Sequence, residues 1–179
     1  MYPQRLRSID LLGSVAFNPV KNDMTGNIAK VRTRYLAHTL LSKTLQGLVR
    51  SELSQKQHKA TEGLLWLTRG LDFTAQALRQ DLISNSGILA NDEKPNQELA
   101  DSFRTSYKAT LAPYHSFLIK PVFNMAMSAT PYRKDMYAKI VGEGADPVVA
   151  QEQMEKWVTA LEERIRSLKE FMGSKEAKW

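Results

Sequence analysis

Apolar residues return with a helical period along most of this chain. Between Asp23 and about Glu52 they fall at Ile28, Val31, Tyr35, Leu36, Leu40, Leu41, Leu45 and Leu48, the spacing of one helix face. That pattern predicts a first long helix over the span. An entry segment precedes it, with a mixed apolar stretch from Ile9 to Phe17 and then Pro19. The polar segment Ser51 to Lys59 continues the helix or turns out of it. A second helix is expected from near Thr61 to about Leu82, with Glu62 in its first turn. Its middle, Leu64-Leu65-Trp66-Leu67, is apolar nearly all round, as in a helix buried at the centre of a fold.

Asn85 to Lys94 is rich in Ser, Gly, Asn and Asp and reads as the clearest loop. Pro95 suits the first turn of a third helix that runs through Phe103 and Tyr107 to about Leu111. Pro113 should kink or divide it, because proline removes a backbone donor and clashes with the preceding turn. Tyr114 to Ser128 is expected to continue helically, with a second disturbance at Pro121. Thr130-Pro131 has the form of an N-cap followed by proline at the first helical position, opening a short helix to about Val141 that Gly142 and Gly144 close. Asp146-Pro147 repeats that start. Val149, Trp157, Val158, Leu161, Ile165, Leu168 and Phe171 then mark a last amphipathic helix to Gly173, and the charged tail from about Ser174 is expected to fray. With no alternating strand, hairpin dipeptide or internal repeat, the class is all-α.

Composition narrows the function more than the fold. The 179 residues suit one domain, and 42% hydrophobic with 25% charged residues is ordinary for a globular protein. The absence of cysteine excludes disulfides, thiol nucleophiles and thiolate metal sites, and fits a cytoplasmic protein. A formal charge of +6 favours polyanions, either nucleic acid or the anionic face of a membrane. Lys and Arg are spread along the chain without a basic run or a nucleic-acid-binding signature, so no nucleic acid partner is expected. No apolar run approaches the roughly 20 residues needed to span a bilayer. The first residues, two arginines and a short apolar stretch broken by Gly13 and Asn18, do not form a signal peptide. Membrane contact is expected to be peripheral and transient, at the cytosolic face.

Candidate chemistry gathers at a few places. On a helix, Asp23, Asn27 and Lys30 stand at i, i+4 and i+7 and share a face. A carboxylate, a carboxamide and an ammonium together offer acceptors, donors and one positive charge, a set suited to a polyhydroxylated ligand. A solvated first turn, with Asp23 favoured by the helix dipole, would give the same residues. Trp66 offers a flat π-face for the C–H bonds of a sugar ring, although a mid-helix Trp is commonly a core residue. His115, in Tyr114-His115-Ser116-Phe117, could hydrogen-bond an amide or carbonyl, or simply be a satisfied core histidine. No catalytic constellation, phosphate loop, metal spacing or cofactor motif is present. Pro131-Tyr132-Arg133-Lys134, with Phe117, Lys120 and Lys139, reads as aromatic and basic side chains meeting a bilayer interface.

Several motifs in order carry a resemblance. They are Leu12-Gly13-Ser14 followed by Phe17, Asp23-Met24-Thr25-Gly26-Asn27-Ile28-Ala29-Lys30, Leu64-Leu65-Trp66-Leu67-Thr68-Arg69-Gly70-Leu71, Tyr114-His115, and Thr130-Pro131-Tyr132-Arg133. Over nearly its whole length the chain resembles the glycolipid transfer protein family, most closely the fungal heterokaryon-incompatibility branch. The resemblance implies one domain over residues 1–179, folded as a two-layer α-helical sandwich. It implies a carrier that holds one glycosphingolipid, glucosyl- or galactosylceramide, and moves it between membranes without catalysis. Asp23, Asn27 and Lys30 would bind the sugar and Trp66 would stack on it. Asp23 and His115 would bind the ceramide amide, with the chains in an apolar tunnel.

The family's phosphosphingolipid branch has lysine where Asn27 stands and arginines where Trp66 and Gly70 stand, because phosphate needs several cationic donors. This chain keeps the amide, the indole and the glycine, which favours an uncharged hexose. The alternatives are a ceramide-1-phosphate carrier and a helical interaction module that has lost lipid transfer. Two departures from the family stand out. Only Met1 to Leu11 precede the Leu-Gly-Ser motif, where the family usually has a further helix. Phe117 stands where the animal proteins dock with tryptophan, so membrane docking is expected to be weaker or differently tuned. Phe117, Lys120, Tyr132 and Arg133 are the expected docking residues.

Overall fold

Pro19 settles where the first described helix begins. The structure, a computed structural model, describes residues 17–142 and 144–179. The Leu12-Gly13-Ser14 motif and most of the entry segment lie outside the described residues. Helix α1 is Asn18–Ala37, so it opens at Asn18 and not at Asp23. Proline is tolerated there because the N–H groups of a first turn have no helical partner in any case. The described residues form seven α-helices and no strand, which bears out the all-α class.

The single helix expected from Asp23 to Glu52 is two helices. α1 ends at Ala37, and α2, Leu45–Ser54, starts after Thr44, whose Oγ1 accepts from the Gly47 N–H at 3.0 Å. The interruption, residues 38–44, is about two helical turns long. The apolar period therefore resumes in phase, and periodicity alone could not reveal the break. Its consequence is exposure: Ile28, Tyr35, Leu36, Leu40, Leu41 and Leu45 all face solvent, while Leu48 is buried.

α3 is Lys59–Ser84. Its N-terminus is closed by a residue of α2. Buried Glu52 accepts from the N–H groups of Ala60 at 2.9 Å and Thr61 at 2.7 Å, and from the Thr61 hydroxyl at 2.7 Å. The remaining helices are α4, Leu99–Thr110; α5, Lys120–Ser128; α6, Arg133–Val141; and α7, Pro147–Gly173. α4 starts after Glu98 and not at Pro95, because Asn85 holds the Gln97 backbone outside the helix. Its carboxamide donates to Gln97 O at 2.9 Å and accepts from Gln97 N at 3.1 Å. Pro113 and Pro121 do not kink a continuous helix. Pro113 lies within a non-helical turn, residues 111–119, and Pro121 stands in the first turn of α5. The expected start of α7 holds, with Asp146 Oδ1 accepting from the Val148 N–H at 2.8 Å.

The described chain forms two compact units. One comprises Asn22–Asp72 and Glu162–Trp179. Leu48, Val49, Ala60, Leu64, Met172 and Ala177 form its core. The C-terminal residues expected to fray are ordered within it. Ser174 caps a short 3₁₀ turn, Lys175–Ala177, and Ala177 is buried. Glu176 pairs with Arg50, and the Trp179 ring stacks 5.8 Å from His58. Charged composition suggested fraying, but one small apolar residue and two contacts to distant segments outweigh it.

The second unit contains Phe73–Leu161 and the described residues up to Lys21. Phe73, Phe103, Tyr107 and Phe123 interleave edge-on and stacked in its core. A buried polar group joins α3 to α6. Arg133 Nε donates to Asp81 Oδ1 at 3.1 Å, Tyr137 Oη donates to Asp81 Oδ2 at 3.0 Å, and Arg133 Nη1 donates to Leu89 O at 2.7 Å. Both charged side chains are wholly buried. Burial pushes the Asp81 carboxyl above its usual range even beside Arg133, and it raises the Tyr137 hydroxyl as well. Two expectations fail here. Arg133 is structural and cannot reach a membrane. Thr130 does not cap α6, whose first N–H, on Arg133, donates instead to Glu98 Oε2 at 2.9 Å.

Removing one member of a buried ion pair strands the other charge, at a cost of about 3–5 kcal/mol. Asp81→Ala and Arg133→Ala should each lower the urea-derived stability by that amount. The double variant should lose clearly less than the sum, and simple additivity would refute the pairing.

Candidate functional site

α1 and α3 meet at a glycine. A Cβ on Gly63 would lie 3.1 Å from the backbone oxygen of Asn27 and 3.2 Å from Cβ and Cδ of Lys30. The missing side chain lets the first turns of α3 approach the middle of α1, where the expected triad lies.

The structure brings Asp23, Asn27 and Lys30 together in a hydrogen-bonded row. Asn27 Nδ2 donates to Asp23 Oδ2 at 3.2 Å, and Lys30 Nζ donates to Asn27 Oδ1 at 3.1 Å. Asp23 is exposed, Lys30 half-buried and Asn27 buried. Because α1 begins at Asn18, Asp23 lies beyond the first turn and the helix dipole does not account for it. From α3, Glu62 places Oε2 3.9 Å from Lys30 Nζ. The row therefore holds one ammonium and two carboxylates, a formal charge of −1.

Trp66 follows Glu62 and Gly63 by four and three residues, so it projects from the same side of α3. It is half-buried, and the Arg69 guanidinium stacks 4.9 Å from the centre of its ring. One indole face is thereby held by a cation. Gly70, one turn on, has open space where a Cβ would be.

A cavity of about 460 Å³ adjoins this row, with Lys30 and Arg34 of α1, His38 just after it, and Gln57 and Lys59 in its lining. Arg34 forms part of the wall. It is buried and donates to Gln55 Oε1 at 2.9 Å, Ser51 Oγ at 3.0 Å and Gln57 Oε1 at 3.3 Å. Three neutral acceptors thus tie the last turns of α1 to α2 and to the segment after it.

His115 lies in the other unit, on the turn between α4 and α5. Its Nδ1 is 3.1 Å from the Tyr107 hydroxyl, and its ring packs 4.5 Å from Phe123. Burial holds the Tyr107 hydroxyl above its usual range, so it is protonated and can donate. With Tyr107 donating, Nδ1 accepts and the ring proton is on Nε2. The same turn presents Phe117, 79% exposed, with Leu118 and Ile119 beside it. Lys120, at the start of α5, and Tyr132, before α6, are also exposed. Arg133 is not among these surface residues. No described helix is long and apolar enough to cross a membrane, and the described residues contain no group of three or more His, Asp or Glu able to hold a metal ion.

Sequence reasoning missed three contributors. Glu62 was visible only as a first-turn acid, since its approach to Lys30 is a tertiary fact. Gly63 carried a faint signal, an isolated glycine within an apolar helix. Arg34 carried none, since nothing in the pattern distinguishes a buried arginine on α1 from an exposed one.

Comparison with known proteins places the chain in context. A family model described as Glycolipid transfer protein (GLTP) matches residues 2–142. A protein of Aureobasidium melanogenum named Glycolipid transfer protein is 55% identical over 170 residues, 95% of this chain and 78% of that protein. The crystal structure of HET-C2, a fungal glycolipid transfer protein, superposes with a TM-score of 0.86 at 51% identity, covering 97% of this chain and 82% of that one. The structure described as showing how FAPP2 selects simple glycosphingolipids using the GLTP fold gives a TM-score of 0.77 at 28% identity, covering 94% and 79%.

The two helical glycines of α3 provide a test. Gly70→Ala should stabilise the protein by up to about 1 kcal/mol, the helix-propensity difference. Gly63→Ala should instead destabilise it by about 1–3 kcal/mol, because the added methyl meets the backbone of α1. Equal shifts in urea denaturation would show that the close approach at Gly63 is unimportant.

Proposed function

The chain belongs to the glycolipid transfer protein family, and on that premise we propose that it holds one glycosphingolipid and carries it between membranes without altering it. The observation that carries this reading is the Asp23–Asn27–Lys30 row with Glu62 across from it. Two carboxylates, an amide and one ammonium match the hydroxyl groups of a hexose, which donate and accept in turn. The same set opposes a phosphate. Lys30 is the one cation in the row, and an anion bound there would lie beside Asp23 and Glu62. Electrostatics thus favours an uncharged sugar over the ceramide-1-phosphate alternative.

Trp66 supplies the stacking surface. Arg69 on its ring withdraws no donor from the row and steadies the indole. His115 carries its ring proton on Nε2 when Tyr107 donates to Nδ1, and that tautomer is suited to donate to the amide carbonyl of a ceramide, with Asp23 suited to accept from an amide N–H. The aromatic interior around Phe73, Phe103 and Phe123 offers apolar contact for hydrocarbon. We assign the whole chain, residues 1–179, to one such carrier domain. It works without cofactor or catalysis in the cytoplasm and touches the cytosolic face of membranes through Phe117, Lys120 and Tyr132.

Transfer of fluorescent glucosyl- or galactosylceramide between vesicles, with ceramide-1-phosphate run in parallel, tests the reading. The protein should transfer the glycolipid selectively, and mass spectrometry should recover the lipid unchanged. Trp66→Ala and Asp23→Val should each reduce transfer at least tenfold with helical circular dichroism intact. Preference for ceramide-1-phosphate would overturn the sugar assignment, and failure of the folded protein to transfer either lipid would leave a helical interaction module. Phe117→Trp adds an indole N–H that anchors at the headgroup level. It should slow release from vesicles, and an unchanged off-rate would remove Phe117 from the docking surface.

A further inference from the structure

The turn joining α1 to α2 holds large apolar side chains out in solvent. Leu40 is 82% exposed, Leu36 62% and Leu41 56%, with Tyr35 and Leu45 also exposed nearby. Leu40 is the most exposed large apolar residue among those described. These side chains are not on a loose strand. The Leu41 N–H donates to His38 O at 3.1 Å, the Ser42 N–H to Thr39 O at 3.3 Å, and Thr44 caps the helix that follows. Ser42 between them is buried. The backbone is fixed and the leucines project from it, a costly arrangement in water unless something covers them.

The charge around the turn says what that partner is. From Met24 to Ser51 the chain contains no Asp or Glu, while it contains Lys30, Arg32, Arg34, Lys43 and Arg50. Arg34 is buried, Arg50 pairs with Glu176 and Lys30 lies beside Glu62, while Lys43 is exposed two residues after Leu41. Leucines on a segment that carries cations and no acids complement an anionic bilayer, with apolar groups entering the acyl boundary and cations meeting lipid phosphates. A second copy of this chain would set that basic segment against itself, so like charges would oppose a dimer on this face.

We propose that the α1–α2 turn is a membrane-docking surface in its own right. In it Leu36, Leu40 and Leu41 insert into an anionic bilayer, Tyr35 lies at the headgroup level, and Lys43 contacts lipid phosphate. The surface is separate in sequence from Phe117, Lys120 and Tyr132. It gives the proposed carrier a second foothold but does not depend on glycolipid binding. Its test therefore uses vesicles without glycolipid, and failure there is distinguishable from failure of lipid transfer.

The lack of any cysteine makes a direct reporter possible. Leu40→Cys labelled with an environment-sensitive fluorophore should shift to the blue on vesicles of phosphatidylcholine with phosphatidylserine, and much less on phosphatidylcholine alone. In vesicle sedimentation, Leu40→Asp/Leu41→Asp should weaken binding to the anionic vesicles about tenfold or more, with circular dichroism and thermal midpoint preserved. Lys43→Glu should weaken it about fivefold at low salt and progressively less as salt is raised. No blue shift, or unchanged sedimentation of the folded double variant, would overturn the proposal. So would a dimer in analytical ultracentrifugation that the double variant abolishes, because the face would then belong to a second copy.

Discussion

One methyl group that Gly63 lacks decides how near α3 comes to α1. Glycine inside a helix costs about 1 kcal/mol relative to alanine, and the chain bears that cost at the point where the helices touch. The return is electrostatic. At this separation Glu62 reaches within 3.9 Å of Lys30, and the single cation of the row is flanked by acids. A wider gap would leave Lys30 to Asn27 alone and make the row more hospitable to phosphate. The preference for neutral hydroxyl groups proposed for this surface thus depends on a packing distance as much as on residue identity. Glu52 supports the same contact from α2, because its carboxylate closes the first turn of α3 and so sets where Glu62 and Gly63 begin.

Buried arginines organise each unit in a different way. Arg34 is held through Nη1 and Nη2 by hydroxyl and amide oxygens, which orient it without neutralising it. Arg133 faces a carboxylate in full burial and draws Tyr137 and Leu89 into the same network. Neither contributes to the outer surface, and buried Glu52 and Asp81 offset their two charges. Arg133 shows this most clearly. The same side chain that composition assigns to a bilayer interface is the one that fixes α6.

Each unit also carries apolar residues on a rigid turn. Between α4 and α5, Pro113 and Pro121 prevent helix from running through, and Phe117 is left exposed on the resulting turn. Between α1 and α2, Thr44 restarts the helix and leaves Leu40 exposed. In both cases the local stop signal creates the exposure, because a continuous helix would have turned at least part of that face inward.

By itself the sequence determined the class, the positions of most helices and the relation among Asp23, Asn27 and Lys30, since these depend on periodicity and on spacing along one helix. The order of its motifs was also enough to identify the family. Only the tertiary structure decided the rest. A gap of about two turns preserves helical phase, so the break at residues 38–44 and the exposure of its leucines could not be read from the pattern. A charged tail looks frayed until Ala177 is seen in a core and Glu176 beside Arg50. Arg133, Glu62 and Arg34 take their roles from partners on other segments. A linear sequence lists charges, whereas burial and distance decide which of them pair and which remain to meet a ligand or a membrane.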